Sequence, residues 1–451
     1  MIFKRKAYDS LLEWKNKANG QTAILIEGAR RIGKSTLVEE FARQNYKSYI
    51  LLDFSIVSKK IKELFENHLD NLDIFFMLLS FETGVSLYQR DSLIIFDEVQ
   101  KFPKAREAIK HLVKDGRYDY IETGSLISIK ENVKDILIPS EEESLTMYPM
   151  DFEEFCLAYG VQDTTFEYLK DCFDNGKSVS SIVHNKMIDL FRYYIIVGGM
   201  PDAIKIFVET SDVSKVIKIQ KNILDQYRQD ISKYSLKDKL KINEIFDAIP
   251  SQLEEKNRRF KLASIGEHAR LRDYQEAFVW LKDAGVALPC FNLSEPKVPL
   301  KLNEQARLFK LFLSDCGLLC AMAFENVQFA ILKGELSVNM GSILENVFAQ
   351  ELISHDFNLR YLNKQKVGEL DFVVQKGSHA IAIEIKSGSD YKKHHALDNA
   401  LAVKEWNLQK GIVFCRGNLE VEDKVVYLPL YMSMFFKQES IDGLKVSKIE
   451  I

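Results

Sequence analysis

Long apolar runs are missing from this 451-residue chain. The longest, such as Phe75-Phe76-Met77-Leu78-Leu79, stop far short of the roughly 20 residues that a membrane helix needs, so no transmembrane helix and no membrane partner are expected. An apolar signal region is missing too. Met1-Ile2-Phe3-Lys4-Arg5-Lys6 leads instead into an amphipathic stretch from Tyr8 to Trp14, which points to the cytoplasm. Cysteine is scarce and unpaired: Cys156, Cys172, Cys290, Cys316, Cys320 and Cys415 include no C-x-x-C, which argues for buried thiols and against disulfides or zinc. Cys316 and Cys320 lie one helical turn apart without a nearby His or acid, so core packing is expected of them. Nor is there an excess of positive charge. With 61 Lys and Arg against 65 Asp and Glu the net charge is -4, so any nucleic-acid contact must come from a local patch.

What the chain does have is apolar content of 46% beside 28% charged residues, enough to fill more than one core. Its length predicts two or three domains. One stretch organises the rest. Ala23-Ile24-Leu25-Ile26 runs into Gly28-Ala29-Arg30-Arg31-Ile32-Gly33-Lys34-Ser35, the G-x-x-x-x-G-K-S spacing of a Walker A loop. A glycine-rich turn lets backbone N–H groups close around phosphates, while the lysine reaches the β and γ oxygens and the serine hydroxyl ligates Mg²⁺. Leu37, Val38, Phe41 and Ala42 then repeat at helical spacing, which sets the phosphates on a helix N-terminus. ATP and Mg²⁺ are the expected ligands, with Gly28, Ala29, Arg30, Arg31, Ile32, Gly33, Lys34, Ser35 and Thr36 as the cradle.

Ser92-Leu93-Ile94-Ile95-Phe96-Asp97-Glu98 reads as a buried strand that delivers two acids at its C-terminal end, the Walker B arrangement. Asp97 is expected to hold Mg²⁺ together with Ser35, and Glu98 to orient and deprotonate the attacking water. Ser48 to Phe54 suits another parallel strand, and Asp119-Tyr120-Ile121-Glu122-Thr123 a third, ending in Gly124-Ser125. Thr123 or Ser125 either senses the γ-phosphate or caps the following helix; both readings stay open. Tyr148-Pro149-Met150-Asp151-Phe152-Glu153-Glu154-Phe155 starts a helix with Asp151 as N-cap and Glu154 closing a capping box, and helices then fill residues 152 to 200 up to the turn Val197-Gly198-Gly199-Met200-Pro201.

A helical stretch from 215 to 241 holds eight Lys and Arg (Lys215, Lys218, Lys221, Arg228, Lys233, Lys237, Lys239, Lys241) against three Asp, a solvated face or a phosphate-binding one. Beyond Ile249-Pro250 come expected helices Leu262 to Arg270 and Arg272 to Ala284, then extended runs Ala287 to Phe291 and Val298 to Leu302, which is the plan of a winged helix. The helix Asp273 to Asp283 carries more acids than bases and suits packing better than DNA reading. From about Gly341, helix Ser342 to Ser354 carries Glu345, and Gly368 to Val374 and His379 to Lys386 read as a hairpin turning at Lys376-Gly377-Ser378. Alternation puts Glu384 and Lys386 on one face, where Asp371 can join them as a Mg²⁺ site with a catalytic lysine, or as a surface ion-pair cluster. Lys392, Lys393, His394 and His395 follow and could steer a phosphate backbone.

With these motifs, and with Phe96-Asp97-Glu98-Val99-Gln100, Thr123-Gly124-Ser125, Gly198-Gly199-Met200-Pro201, Ser314 to Leu319 and Gly368-Glu369-Leu370-Asp371-Phe372, the chain resembles nearly end to end the prokaryotic AAA-type ATPases that carry a C-terminal domain of unknown function. The resemblance implies an AAA-type core, a winged helix and a tail folded like PD-(D/E)XK nucleases, in which Glu345, Asp371, Glu384 and Lys386 match the nuclease pattern. One departure is that relatives carry an arginine shortly before the Tyr-Pro motif, where this chain has Pro139-Ser140-Glu141-Glu142-Glu143. The expectation is therefore an α/β chain: residues 1–210 a P-loop NTPase parallel-sheet domain, 211–335 a helical linker and winged helix, 336–451 a nuclease-like domain. Its expected role is Mg²⁺-dependent ATP hydrolysis on or near DNA or RNA, with Asp371, Glu384 and Lys386 catalytic in the tail and Glu345, Asp371 and Glu384 its metal ligands. The alternative is a nucleotide-dependent switch whose tail binds without cutting. A homo-oligomer is left open.

Overall fold

Five parallel strands carry the first part of the chain: β1 (Ala23–Gly28), β2 (Ser48–Asp53), β3 (Ser92–Asp97), β4 (Asp119–Ser125) and β5 (Glu142–Met147), in the order β2-β3-β4-β1-β5. The computed structural model describes residues 2–125, 140–231, 236–255, 259–262, 270–324, 327–333 and 340–439. Every residue of β3 is buried, as a strand covered on both faces requires. On one face Phe54, Phe65, Phe75, Phe96 and Phe102 interlock edge to face and stacked, joining the sheet to helices Lys59–Asn67, Leu72–Thr83 and Pro103–Asp115. Burying each such ring stabilises the fold by roughly 2 kcal/mol. The strand order matters for function. It places β4 between β1 and β3, so the C-terminal ends of all three open side by side.

The described residues pack as two compact units. The first comprises Met1–Gly160, Val197–Ala248 and Leu262–Ala287; the second comprises Val161–Ile196, Ile249–Lys261 and Leu288–Ile451. In the second unit, β10 (Phe372–Lys376), β11 (His379–Ile385), β12 (Gly411–Cys415), β13 (Glu420–Glu422) and β14 (Val425–Pro429) form a mixed sheet in the order β10-β11-β12-β14-β13. A second sheet runs β7-β6-β8-β9, from β6 (Ala287–Leu293), β7 (Glu304–Leu313), β8 (Arg360–Lys364) and β9 (Gly368–Leu370).

The sequence expectations differ from this at several points. The extended run at Val298 to Leu302 is no strand: Pro299 has no N–H for a ladder, Leu300–Asn303 coils into a 3₁₀ turn, and the strand lies at Glu304–Leu313. The pair expected to form a wing instead shares its sheet with β8 and β9. Pro250 lies inside helix Leu236–Glu254, and the expected helix at 262–270 falls largely on residues outside the described ones. The strand expected from Gly368 to Val374 is broken at Asp371, with β9 pairing to β8 and β10 to β11.

Candidate nucleotide site and acidic cluster

The loop after β1 takes backbone conformations that its glycines allow. Gly28 has φ 148°, and a Cβ there would meet the Met147 carbonyl oxygen at 2.2 Å; Gly33, at φ 91°, caps helix Lys34–Asn45. Any side chain at Gly28 would push β5 away. Arg31 is held at φ 69° between them. Lys34 Nζ donates to the carbonyls of Gly28 (3.1 Å) and Ala29 (2.8 Å), folding back over the loop. Burial pushes its ammonium down to about 8, against the opposing pull of Glu98 and Asp97 and with a smaller push from Arg30.

Asp97, at the end of β3, is the meeting point. Its Oδ1 accepts from Ser35 Oγ at 2.9 Å and from the Thr123 hydroxyl of β4. Of the two hydroxyls expected near the γ-phosphate, Thr123 therefore reaches the acid, while Ser125 ends β4 alongside Gly28 and its side chain lies outside the described residues. Glu98 sits at φ 52°, and its Oε2 accepts from Gln100 Nε2 at 2.6 Å. A hydroxyl and a carboxylate in contact beside the loop are a donor set that fits Mg²⁺.

Two clamps around the loop were not legible in the motif. Arg5, buried, donates to the carbonyl of Ile32 (2.7 Å), to that of Tyr148 (2.8 Å) and to Glu154 (3.1 Å), so one guanidinium joins the loop to the start of helix Phe152–Tyr159. The capping box expected of Asp151 and Glu154 is present. On the other side, helix Val213–Ile231 grips the loop: Arg30 donates to both oxygens of Asp230 at 2.9 Å, Tyr227 Oη donates to the Arg30 carbonyl at 3.1 Å, and Arg31 donates to Gln226 at 2.8 Å. The same helix exposes Lys215, Lys218 and Lys221, with Lys215 3.9 Å from Asp212. Arg228 is spoken for by Asp225 (3.3 Å) and Asp247 (2.9 Å). Beside the loop lies a cavity of about 390 Å³. Its walls include Phe3, Tyr8, Gly33, Thr36, Leu37 and Pro201.

In the second unit, Lys386 Nζ lies 3.0 Å from Glu384 Oε2, the shared face that alternation predicts, and Asp371 is brought opposite by the β10–β11 register. Asp371 Oδ2, however, accepts the Ile385 N–H at 2.7 Å. Burial, with the Asp371 charge beside it, raises the Glu384 carboxyl to about 7, while Lys386 and Lys310 oppose that rise. Glu345, buried, faces Lys310 at 3.2 Å. Among the described residues no three His, Cys, Asp or Glu side chains are gathered to hold an ion. The basic run beyond the hairpin is engaged: Lys392 with Glu420 (3.0 Å) and Glu422 (2.5 Å), Lys393 with Asp390 (2.8 Å), and buried His394 with Tyr427 (2.7 Å). Those residues are tied to neighbours rather than held out for a phosphate backbone. All six cysteines are buried and none is in a disulfide, with Cys316 and Cys320 set against the carbonyls of Tyr194 and Ile195.

Residues 20–156 match the family described as AAA domain. Residues 188–328 and 340–432 match two domains of unknown function, DUF8612 and DUF4143. No curated protein matches the chain. Among solved structures, AMPPCP-bound DnaA from Aquifex aeolicus overlaps 62% of this chain and 87% of its own at 14% identity and a TM-score of 0.30. The RuvB Holliday junction branch migration motor of Thermotoga maritima overlaps 63% and 89% at 10% identity, also with a TM-score of 0.30. At these scores the overlaps carry no argument about function. Among the described residues no helix is long and apolar enough to cross a membrane.

Proposed function

With residues 20–156 an AAA domain of the P-loop ATPase class, we propose that this chain is a Mg²⁺-dependent ATP hydrolase in which Lys34 binds phosphate and Glu98 is the base. The observation that carries the reading is the convergence of the Ser35 and Thr123 hydroxyls on Asp97 at the open ends of β1, β4 and β3. Ser35 and Asp97 would hold Mg²⁺, which supplies positive charge to the phosphates. The rest is the work of the chain itself. Lys34 exchanges two backbone carbonyls for phosphate oxygens, and the N–H groups that open helix Lys34–Asn45 turn toward the same charge. Glu98 takes a proton from water, its carboxylate positioned by Gln100. The cavity lined by Phe3, Tyr8 and Pro201 offers apolar walls for the base of the nucleotide.

Nucleic acid is the proposed further partner, supported by the exposed Lys215, Lys218 and Lys221, which recur every third residue along one helix face. Of the two roles open to the C-terminal unit, cutting and holding, the engaged acids Asp371, Glu384 and Glu345 favour holding. ATP hydrolysis measured with and without DNA tests the reading. Lys34→Ala is expected to lose ATP affinity and turnover; a Lys34→Ala chain hydrolysing ATP like wild type would overturn it. For the DNA contact, each lysine on a phosphate adds about one unit to the log-log salt slope of binding. Charge reversal at Lys218 and Lys221 should flatten that slope, and an unchanged slope would return these lysines to ordinary solvation.

A further inference from the structure

Strand β7 carries Lys310, a residue outside every motif, and its side chain is fully shielded from solvent. Its Nζ lies 2.6 Å from Glu369 Oε1 and 3.2 Å from Glu345 Oε2, and 4.8 Å from the centre of the Tyr361 ring. Helix Gly341–Ser354 contributes Glu345, β9 Glu369 and β8 Tyr361. A lysine this deep is stable only where carboxylates and a ring face replace its water, because an isolated buried ammonium costs several kcal/mol.

We infer that the Lys310 ammonium takes the place of a divalent cation in the acidic cluster of the second unit, so that Glu345, Asp371 and Glu384 hold no metal ion. The inference rests on the holding role proposed for that unit, and it explains it. A divalent ion of the Mg²⁺ type needs about six oxygen donors in near-octahedral array. Here one oxygen of each carboxylate is already directed elsewhere: Glu345 Oε2 to Lys310, Glu384 Oε2 to Lys386, and Asp371 Oδ2 to the Ile385 amide. A second cation would also meet the positive charge of Lys310, whose field reaches Glu384, in a medium that screens poorly. Glu345 and Glu369 approach the Lys310 ammonium from two directions, and strand β7 delivers it.

Mn²⁺ binding to the full chain, counted by the electron paramagnetic resonance of the free ion, tests this. Asp97→Ala serves as the background, without nucleotide, so that the P-loop does not contribute. The chain with Lys310 intact is expected to bind no Mn²⁺. Lys310→Met and Lys310→Gln should each gain one Mn²⁺ per chain, lost again when Asp371→Ala and Glu384→Ala are added. Mn²⁺ bound by the Lys310 chain and released by the double alanine would overturn the inference, and so would a folded Lys310 variant that binds none. Should neither variant fold, the measurement on the Lys310 chain decides alone. Plasmid cleavage read on the same samples separates the two claims: cutting by a chain without tail-bound Mn²⁺ supports the inference while removing the holding role.

Discussion

Lys34 is the residue at which phosphate recognition and fold stability oppose one another. Its folded-state value of about 8 lies below the ordinary 10.5, because burial penalises the ammonium. Between those two values the unfolded chain carries the extra proton, so through this group stability rises with pH from about 8 to 10.5 and is withheld below 8. Lys34→Met should therefore melt at a higher temperature than wild type at pH 7 without nucleotide, yet show no rise when ATP is added. Phosphate reverses the preference, since it favours the charged lysine. ATP affinity should fall as pH climbs above 8, with about one proton taken up on binding, measurable by calorimetry in buffers of different ionisation heat. Affinity that stays level from pH 7 to 9 would mean that Lys34 is already protonated throughout.

At the scale of elements, the loop is held from outside by a residue whose role no motif announces. Arg5 reaches partners 27, 143 and 149 positions away, at Ile32, Tyr148 and Glu154. Breaking a buried pair leaves the other charge without its counter-ion, so Arg5→Ala should cost roughly 3 kcal/mol in urea unfolding. It should also weaken ATP binding, because the Ile32 carbonyl loses its anchor. Wild-type stability in Arg5→Ala would show that Lys6, whose N–H donates to Glu154 at 2.7 Å, carries that contact alone. This division explains what the sequence could tell. The loop Gly28 to Ser35 and the acids Asp97 and Glu98 are local patterns, fixed by backbone and strand geometry, and reading them needed no knowledge of the sheet. The contact of Thr123 with Asp97 depends on β4 lying between β1 and β3, and Lys310 on a sheet that joins β7 to β8 and β9; neither is written in any short window. The Val298 to Leu302 run misled because its apolar residues look like a strand while Pro299 withholds the ladder hydrogen bond.

For the whole molecule, a parallel-sheet unit holds the nucleotide loop, and a second unit built on two further sheets holds an acidic cluster closed around Lys310. The helix Val213–Ile231 bears on each task proposed for the first unit. Tyr227 and Asp230 touch the loop, while Lys215, Lys218 and Lys221 face solvent. All of this turns on whether the chain hydrolyses ATP through Glu98. The most direct measurement follows a single turnover of radiolabelled ATP by wild type and by Glu98→Gln, with bound nucleotide recovered by rapid filtration. The expected result is that wild type releases labelled phosphate, whereas Glu98→Gln retains intact ATP with undiminished affinity and turns it over at least about 100-fold more slowly. Phosphate release by Glu98→Gln at the wild-type rate would contradict the assignment of Glu98 as base and, with it, the account of the site.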